Sequence, residues 1–241
     1  LIQAITFDFW DTLFVSGDLG DLRRWQIKRA LEGAGYTDVA EAHIERAIGR
    51  AWREWYRVWE GEQRTFGARR WVSLVLADLG ANLTEPEREA LVHAMATSAM
   101  TISPPLVDGV NAVLPRLAGR YRLGLICDTG LSPGWMLREL MASHGVLRFF
   151  THLTFSDELG ISKPRPEPFL TTLARLGVPP GAAVHIGDFP RTDIAGAQGV
   201  GMRTIRFTGS HDRSDGTVRA DAEIASYSEL EPLLEQWEDS S

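Results

Sequence analysis

Cysteine is nearly missing from this chain: Cys127 is the only one among 241 residues. No intrachain disulfide can form, which fits a reducing cytoplasm, and the protein is expected there. Basic charge is also in deficit. Lys and Arg total 25 against 32 Asp and Glu, a formal net charge of −7. That balance argues against broad binding to nucleic acid or to an anionic membrane surface, and it requires any anion site to be locally basic. Long apolar runs are lacking as well. Residues 1–7 carry no basic n-region and lead straight into structured sequence, so neither a signal peptide nor a membrane span is expected. There is no internal repeat and no low-complexity tract. What remains is 44% hydrophobic and 24% charged. That composition is ordinary for a globular protein, and the length suits one large domain or a domain carrying a smaller inserted one.

Short runs rich in apolar and β-branched residues recur along the chain. They are 2–7, 123–127, 153–155, 184–186 and 204–207, with a weaker one at 223–225. Helical patterns lie between them at 106–117, 133–143, 166–176 and 193–199, and a closing helix is expected over 228–237. Strands alternating with helices imply a parallel sheet with helices on both faces. The tail 238–241 is expected to fray. Residues 17–102 break the alternation. They read as almost purely helical, with segments at 22–33, 39–60, 68–79 and 85–100. Thr84, Pro86 and Glu87 together form a helix start, with a capping hydroxyl, a first-turn proline and a carboxylate three residues after the cap. The expected organisation is a Rossmann-like parallel-sheet core over 1–16 and 103–241, with an all-α domain over 17–102 inserted after the first strand.

In such sheets ligands bind outside the carboxyl ends of the strands. Four polar signatures stand at those ends or in the loop beyond. The first runs from Phe7 through Asp8, Trp10 and Asp11 to Phe14. The second is Cys127, Asp128, Thr129 and Gly130. The third runs from Gly160 through Lys163 to Pro166, and the fourth from Gly187 through Asp188 to Asp193. One carboxylate after a strand would mean little; four ordered signatures are a specific pattern.

In order and spacing they resemble the four motifs of the haloacid dehalogenase superfamily, and the helical insertion after the first motif resembles its type-1 cap. The resemblance covers nearly the whole chain. It implies an Asp nucleophile, Mg²⁺ and, most often, hydrolysis of a phosphate ester of a small anionic metabolite. On this reading Asp8 is the nucleophile and a metal ligand. Asp188 is the second carboxylate ligand, Asp193 binds the metal or orients its water, and the backbone carbonyl of Trp10 is a further ligand. Lys163 steadies Asp8 and the transferred group as a point charge. Cys127, Asp128, Thr129 and Lys163 would face the substrate. Such chemistry asks mainly for alignment and charge neutralisation, which a Mg²⁺ held by few carboxylates suits.

Two departures matter. Phosphatases of the superfamily carry a second Asp two residues after the nucleophile, to protonate the leaving group and later activate water. Here that position is Trp10. Asp11, one residue on, stands where the family usually has Gly, and it is a candidate substitute for the missing acid/base. Cys127 stands where the family has Ser or Thr. A thiol donates weakly, so Thr129 is the alternative hydroxyl, and Cys127 reads equally as a small buried hydrophobe. The aromatic at position 10 is similar to the 2-haloacid dehalogenases, whose leaving halide needs no proton. The Asp188–Asp193 pair instead points to Mg²⁺, because two carboxylates beside Asp8 would repel it without a cation. A phosphoric-monoester hydrolase is therefore favoured over a carbon–halide hydrolase. Phosphonate cleavage, with Lys28 as a Schiff-base candidate, and a binding or regulatory member with weak turnover are the alternatives.

Five of the eight tryptophans, 25, 52, 55, 59 and 71, fall in the insertion. Trp52, Trp55 and Trp59 share one helical face, read as the insertion's own core, or in part as pocket lining. Arg64, Arg69 and Arg70 cluster between its helices, where one could meet an anionic substrate. His185, within a strand, is expected to pack against a helix.

Overall fold

The computed structural model describes residues 1–213, 216 and 218–239. The chain forms two compact units, one of Leu1–Ser16, Pro104–Asp128 and Met141–Ser241, the other of Gly17–Ser103 and Thr129–Leu140. Residues 129–140, expected in the sheet core, thus cluster with 17–103.

The first unit is built on β1 (Ala4–Phe7), β2 (Arg122–Cys127), β3 (Phe150–Phe155), β4 (Ala183–Gly187), β5 (Arg203–Phe207) and β6 (Ala222–Ile224). Among the described residues they form one six-stranded sheet in the order β3-β2-β1-β4-β5-β6. Every pairing is parallel. β1 and β4 are buried at every position, which is why they read as mostly apolar runs rather than as alternation. The helices of this unit are α5 (Val110–Ala118), the single turn α7 (Ser156–Leu159), α8 (Pro166–Leu176), α9 (Ala195–Gly199) and α10 (Leu230–Asp239). α8 packs on β2 and β3, and α9 on β5. Ala4, Ile126, Phe169, Leu173, Leu176 and Ala197 share one apolar cluster there. At roughly 1.5–3 kcal/mol for each large side chain removed from water, such burial dominates the stability of the sheet.

The second unit consists of α1 (Gly20–Gly33), α2 (Glu41–Glu62), α3 (Ala68–Leu79) and α4 (Glu85–Ile102), joined by the start of α6 (Gly134–Ser143). Ile27, Ile44, Trp55, Trp71, Val75, Met95 and Leu131 belong to its core cluster. The start of α4 is as expected: the Thr84 N–H donates to Glu87 Oε2 at 2.8 Å within a capping box, with proline in the first turn.

Three expectations need correction. The helix expected from 106 begins at Val110, because Leu106 pairs with Phe14 in an isolated antiparallel bridge and Gly109 turns the chain at φ +86°. The helix expected from 193 is preceded by a wide π-helical turn, Pro190–Ile194. The C-terminal helix continues through Asp239, and Glu238 accepts hydrogen bonds from Arg120 and Tyr121, so 238 and 239 are not frayed. Residues 240 and 241 lie outside the described residues. None of the described helices is long and apolar enough to cross a membrane.

Candidate active site

Since all six strands run in parallel, their carboxyl ends lie on one edge of the sheet, and Asp8, Asp128 and Asp188 each follow a strand directly. The Asp8 N–H donates to Ile186 O at 2.8 Å, extending the β1–β4 ladder by one residue. Beyond it the chain folds back sharply. Phe9 and Phe14 stack with ring centroids 4.7 Å apart, and the Asp11 N–H donates to Phe14 O at 2.7 Å. This tight return forces Asp11 to φ +57°, a left-handed conformation that glycine enters freely and other residues at about 1–2 kcal/mol. Asp11 is 1% exposed, and its oxygens are taken by donors. Oδ1 accepts from Ser16 N at 2.9 Å and Ser16 Oγ at 2.7 Å, and Oδ2 from Arg213 Nη2 at 2.6 Å. This is the arrangement of an anchoring carboxylate rather than of a proton donor. Trp10, half-buried, lies edge-on to Phe9 at 4.8 Å.

Lys163 gathers the rest. Its N–H donates to Asp128 Oδ1 at 3.0 Å, joining the third signature to the second. Its ammonium, 2% exposed, has three donors and three acceptors: Asp8 Oδ1 at 2.5 Å, Asp193 Oδ1 at 2.6 Å and Ile126 O at 3.0 Å. Asp193 is fixed from its other side as well. The Phe189 N–H donates to its Oδ2 at 3.0 Å, and His185 Nε2 lies 3.4 Å from its Oδ1. His185 is fully buried, hydrogen-bonded through Nδ1 to Thr6 Oγ1 at 2.8 Å and edge-on to Phe169 of α8. Its packing on a helix was legible in the sequence, whereas its contacts with Thr6 and Asp193 were not.

Charge is crowded here. Burial, aided by nearby Asp193, raises the Asp8 carboxyl to about 7 even against the pull of Lys163. Burial, then Asp8 and Asp193, raises Asp188 to about 8. Burial would raise Asp193 too, but Lys163 and His185 hold it well below the usual carboxylate range. Burial alone would lower Lys163; Asp193 and Asp8 instead keep it well above the ordinary lysine value. Burial lowers His185, so its ring stays neutral near pH 7. Burial, followed by Asp8, pushes the Cys127 thiol well up. At the buried end of β2 it is a weak donor and no nucleophile.

One oxygen from each of Asp8, Asp188 and Asp193 falls within 4.8 Å of the others. Asp188 Oδ2 is buried with no hydrogen-bond partner. Arg213 Nε approaches it at 3.0 Å without the alignment of a hydrogen bond. Two carboxyls with raised pKa and an oxygen short of a donor are what a divalent cation relieves, so the donor set fits such an ion. Asp193, with both oxygens engaged, suits an orienting role in that set better than direct ligation.

The second unit holds the remaining sequence candidates. Thr129 is buried within it. Trp71 is fully buried, and Trp55 is nearly so, with its Nε1 donating to Phe66 O at 3.1 Å. Trp52 and Trp59 pack against the same cluster, so this face is core. Arg69 pairs with Glu89, while Arg70 pairs with Glu54 and lies over the Phe66 ring. Lys28 is exposed, whereas a Schiff-base lysine sits desolvated in an apolar pocket. Ser16, Thr6 and Arg213 carry no mark in the sequence. Arg213 stands in the polar stretch after β5, where nothing in the spacing marks it.

Residues 2–201 match the model of the haloacid dehalogenase-like hydrolases. The chain belongs to that family. It is a hydrolase with the family's sheet. Glyceraldehyde 3-phosphate phosphatase of Methanopyrus kandleri is 30% identical over 208 residues, which are 86% of this chain and 84% of that protein. Haloacid dehalogenase-like hydrolase domain-containing protein 3 of Mus musculus is 26% identical over 100% of this chain and 96% of its own. Among solved structures, 2-haloacid dehalogenase of Pseudomonas syringae pv. Tomato DC3000 matches with a TM-score of 0.72 at 27% identity, over 98% of this chain and all of that one.

Proposed function

We propose that this hydrolase is a phosphatase of a small, anionic, phosphorylated metabolite, with Asp8 as nucleophile and Mg²⁺ as cofactor. The observation that carries the reading is the buried triad of Asp8, Asp188 and Asp193 within 4.8 Å, balanced at its centre by Lys163. The phosphatase relative from Methanopyrus kandleri supports it. Asp8 and Asp188 would hold the cation directly, with the Trp10 carbonyl as a further ligand, and Asp193 would orient the set. When bound, Mg²⁺ supplies charge neutralisation at the phosphoryl oxygens. Lys163 fixes Asp8 Oδ1, so the other carboxylate oxygen attacks phosphorus. A P–O bond forms on Asp8 as the bond from phosphorus to the ester oxygen breaks, and that oxygen leaves with the bonding pair and takes a proton from solvent. Water then attacks the phosphorus and gives up a proton to solvent, while the P–O bond to Asp8 breaks and its pair returns to the carboxylate, releasing inorganic phosphate. Cys127 and Asp128, at the end of β2 in the same unit, would face the substrate.

A screen of phosphate esters with Mg²⁺, run beside Asp8→Asn, tests this. Phosphate release that needs both Mg²⁺ and Asp8 is the expected result; no turnover, or an equally active variant, refutes it. The second reading is carbon–halogen cleavage through an ester at Asp8. It is favoured by Trp10 and by the likeness to the Pseudomonas syringae dehalogenase. Halide release from 2-haloacids that persists in EDTA would establish it instead.

A further inference from the structure

Arg213 lies beyond the last family-matched residue, at 201, yet its guanidinium spans two carboxylates of the site. Nη2 donates to Asp11 Oδ2 at 2.6 Å, and Nε lies 3.0 Å from Asp188 Oδ2. The two contacts differ in kind. Asp11 is a fixed post: it is buried, and Ser16 binds it through both N–H and O–H. The contact with Asp188 is an ion pair without hydrogen-bond alignment, made to an oxygen that has no hydrogen-bond partner. The Arg213 side chain is 41% exposed, and its guanidinium lies over the Phe189 ring at 5.6 Å. It is therefore tethered at one end and loosely seated at the other, with solvent available to receive it.

We infer that Arg213 is a positioning residue that occupies the Asp188 carboxylate until a divalent cation binds, and then gives it up while staying anchored on Asp11. The inference rests on reading Asp8 and Asp188 as cation ligands. A guanidinium and a cation drawn to the same carboxylate repel each other, so loading the site has to loosen the arginine. Before loading, the pair holds Asp188 in place and partly cancels the charge that crowds it. The cost is borne in cation affinity. Arg213 thereby sets how much free Mg²⁺ the protein needs, without being a ligand itself.

Calorimetric titration of Mg²⁺ into the wild type, Arg213→Met, Arg213→Lys and Asp188→Asn tests this. With the competitor removed, Arg213→Met should bind Mg²⁺ about fivefold more tightly, the scale of a partly exposed ion pair. Arg213→Lys, which cannot span both carboxylates, should fall between. A second readout needs only wild-type protein: the Arg213 Nε–H resonance, assigned by its loss in Arg213→Met, should move as Mg²⁺ is added. Unchanged or weaker affinity in Arg213→Met overturns the inference. Tighter binding with an unmoved Nε–H signal also overturns it, since that is plain charge repulsion without exchange. If the wild type binds no Mg²⁺, or Asp188→Asn binds it equally well, the cation-site reading fails and takes the inference with it. Binding that Asp188→Asn abolishes and Arg213→Met leaves alone sinks only the inference.

Discussion

A β-carbon placed on Gly187 would lie 2.5 Å from Cβ of Asp193 and 2.6 Å from its Oδ2. Any larger residue at the end of β4 must therefore displace the carboxylate that Lys163, His185 and the Phe189 N–H hold in place. Gly187→Ala should lower kcat/KM by about a hundredfold, the usual penalty for misplacing a site by an ångström. Steady-state kinetics beside circular dichroism checks this. Wild-type kinetics in a folded variant would show that the close approach is dispensable.

Lys163→Met should remove activity and also destabilise the metal-free protein. It leaves Asp8 and Asp193 buried without their shared cation, and breaking such a pair costs about 3–5 kcal/mol. Urea unfolding in EDTA measures the loss. Lys163→Arg should not restore activity, because a planar fork cannot aim its donors at three acceptors arranged around an ammonium.

The raised carboxyls predict a pH dependence. Asp8 at about 7 and Asp188 at about 8 bind protons more readily folded than unfolded. Their stabilising contribution is whole below about pH 4 and is lost as pH rises through 7 to 8. Asp193, held below its ordinary value, works the other way and loses its contribution as pH falls into the acid range. In EDTA the protein should therefore lose stability between pH 5 and 9, by at most about 1.4 kcal/mol per pH unit for each titrating group. Asp188→Asn should flatten the decline, and Mg²⁺, whose binding displaces protons, should suppress it. Stability that rises steadily across this window would contradict the assignment.

In the proposed reaction Trp10 leaves the departing oxygen without an acid beside Asp8, and Asp11 is occupied by Ser16 and Arg213. Turnover should thus depend steeply on the leaving group, with p-nitrophenyl phosphate hydrolysed much faster than alkyl phosphates. Trp10→Asp should narrow that gap by about a hundredfold, the lower range of general acid catalysis. A leaving-group series on both proteins decides it, and a flat wild-type series would mean that another group supplies the proton.

How much could be read from residues alone depends on how local the cause is. A buried parallel strand is a short, mostly apolar run, so the ends of β1 and β4, each followed directly by a carboxylate, were legible. Ala68–Leu79 and Pro166–Leu176 form where periodicity, glycine and proline placed them. The role of Asp11 was not legible. Its backbone angle is set by the Phe9–Phe14 stack, and its partner Arg213 arrives from beyond β5. The link from Thr6 through His185 to Asp193 joins two neighbouring strands whose pairing no single segment encodes. The wide turn at Pro190–Ile194 serves to aim one carboxylate, which propensity does not record.

The sheet's centre has a consequence for synthesis. Thr6 on β1 aligns with Gly124 on one side and with His185, 179 positions later, on the other. The first strand to leave the ribosome must therefore wait for both neighbours, while the helices of 20–102 can form from contacts close in sequence. Asp8 likewise waits for Lys163, 155 positions later, and then for Asp193. A translating ribosome therefore carries this carboxylate through most of elongation before its buried partners exist, and nascent chains arrested before residue 193 should be catalytically silent.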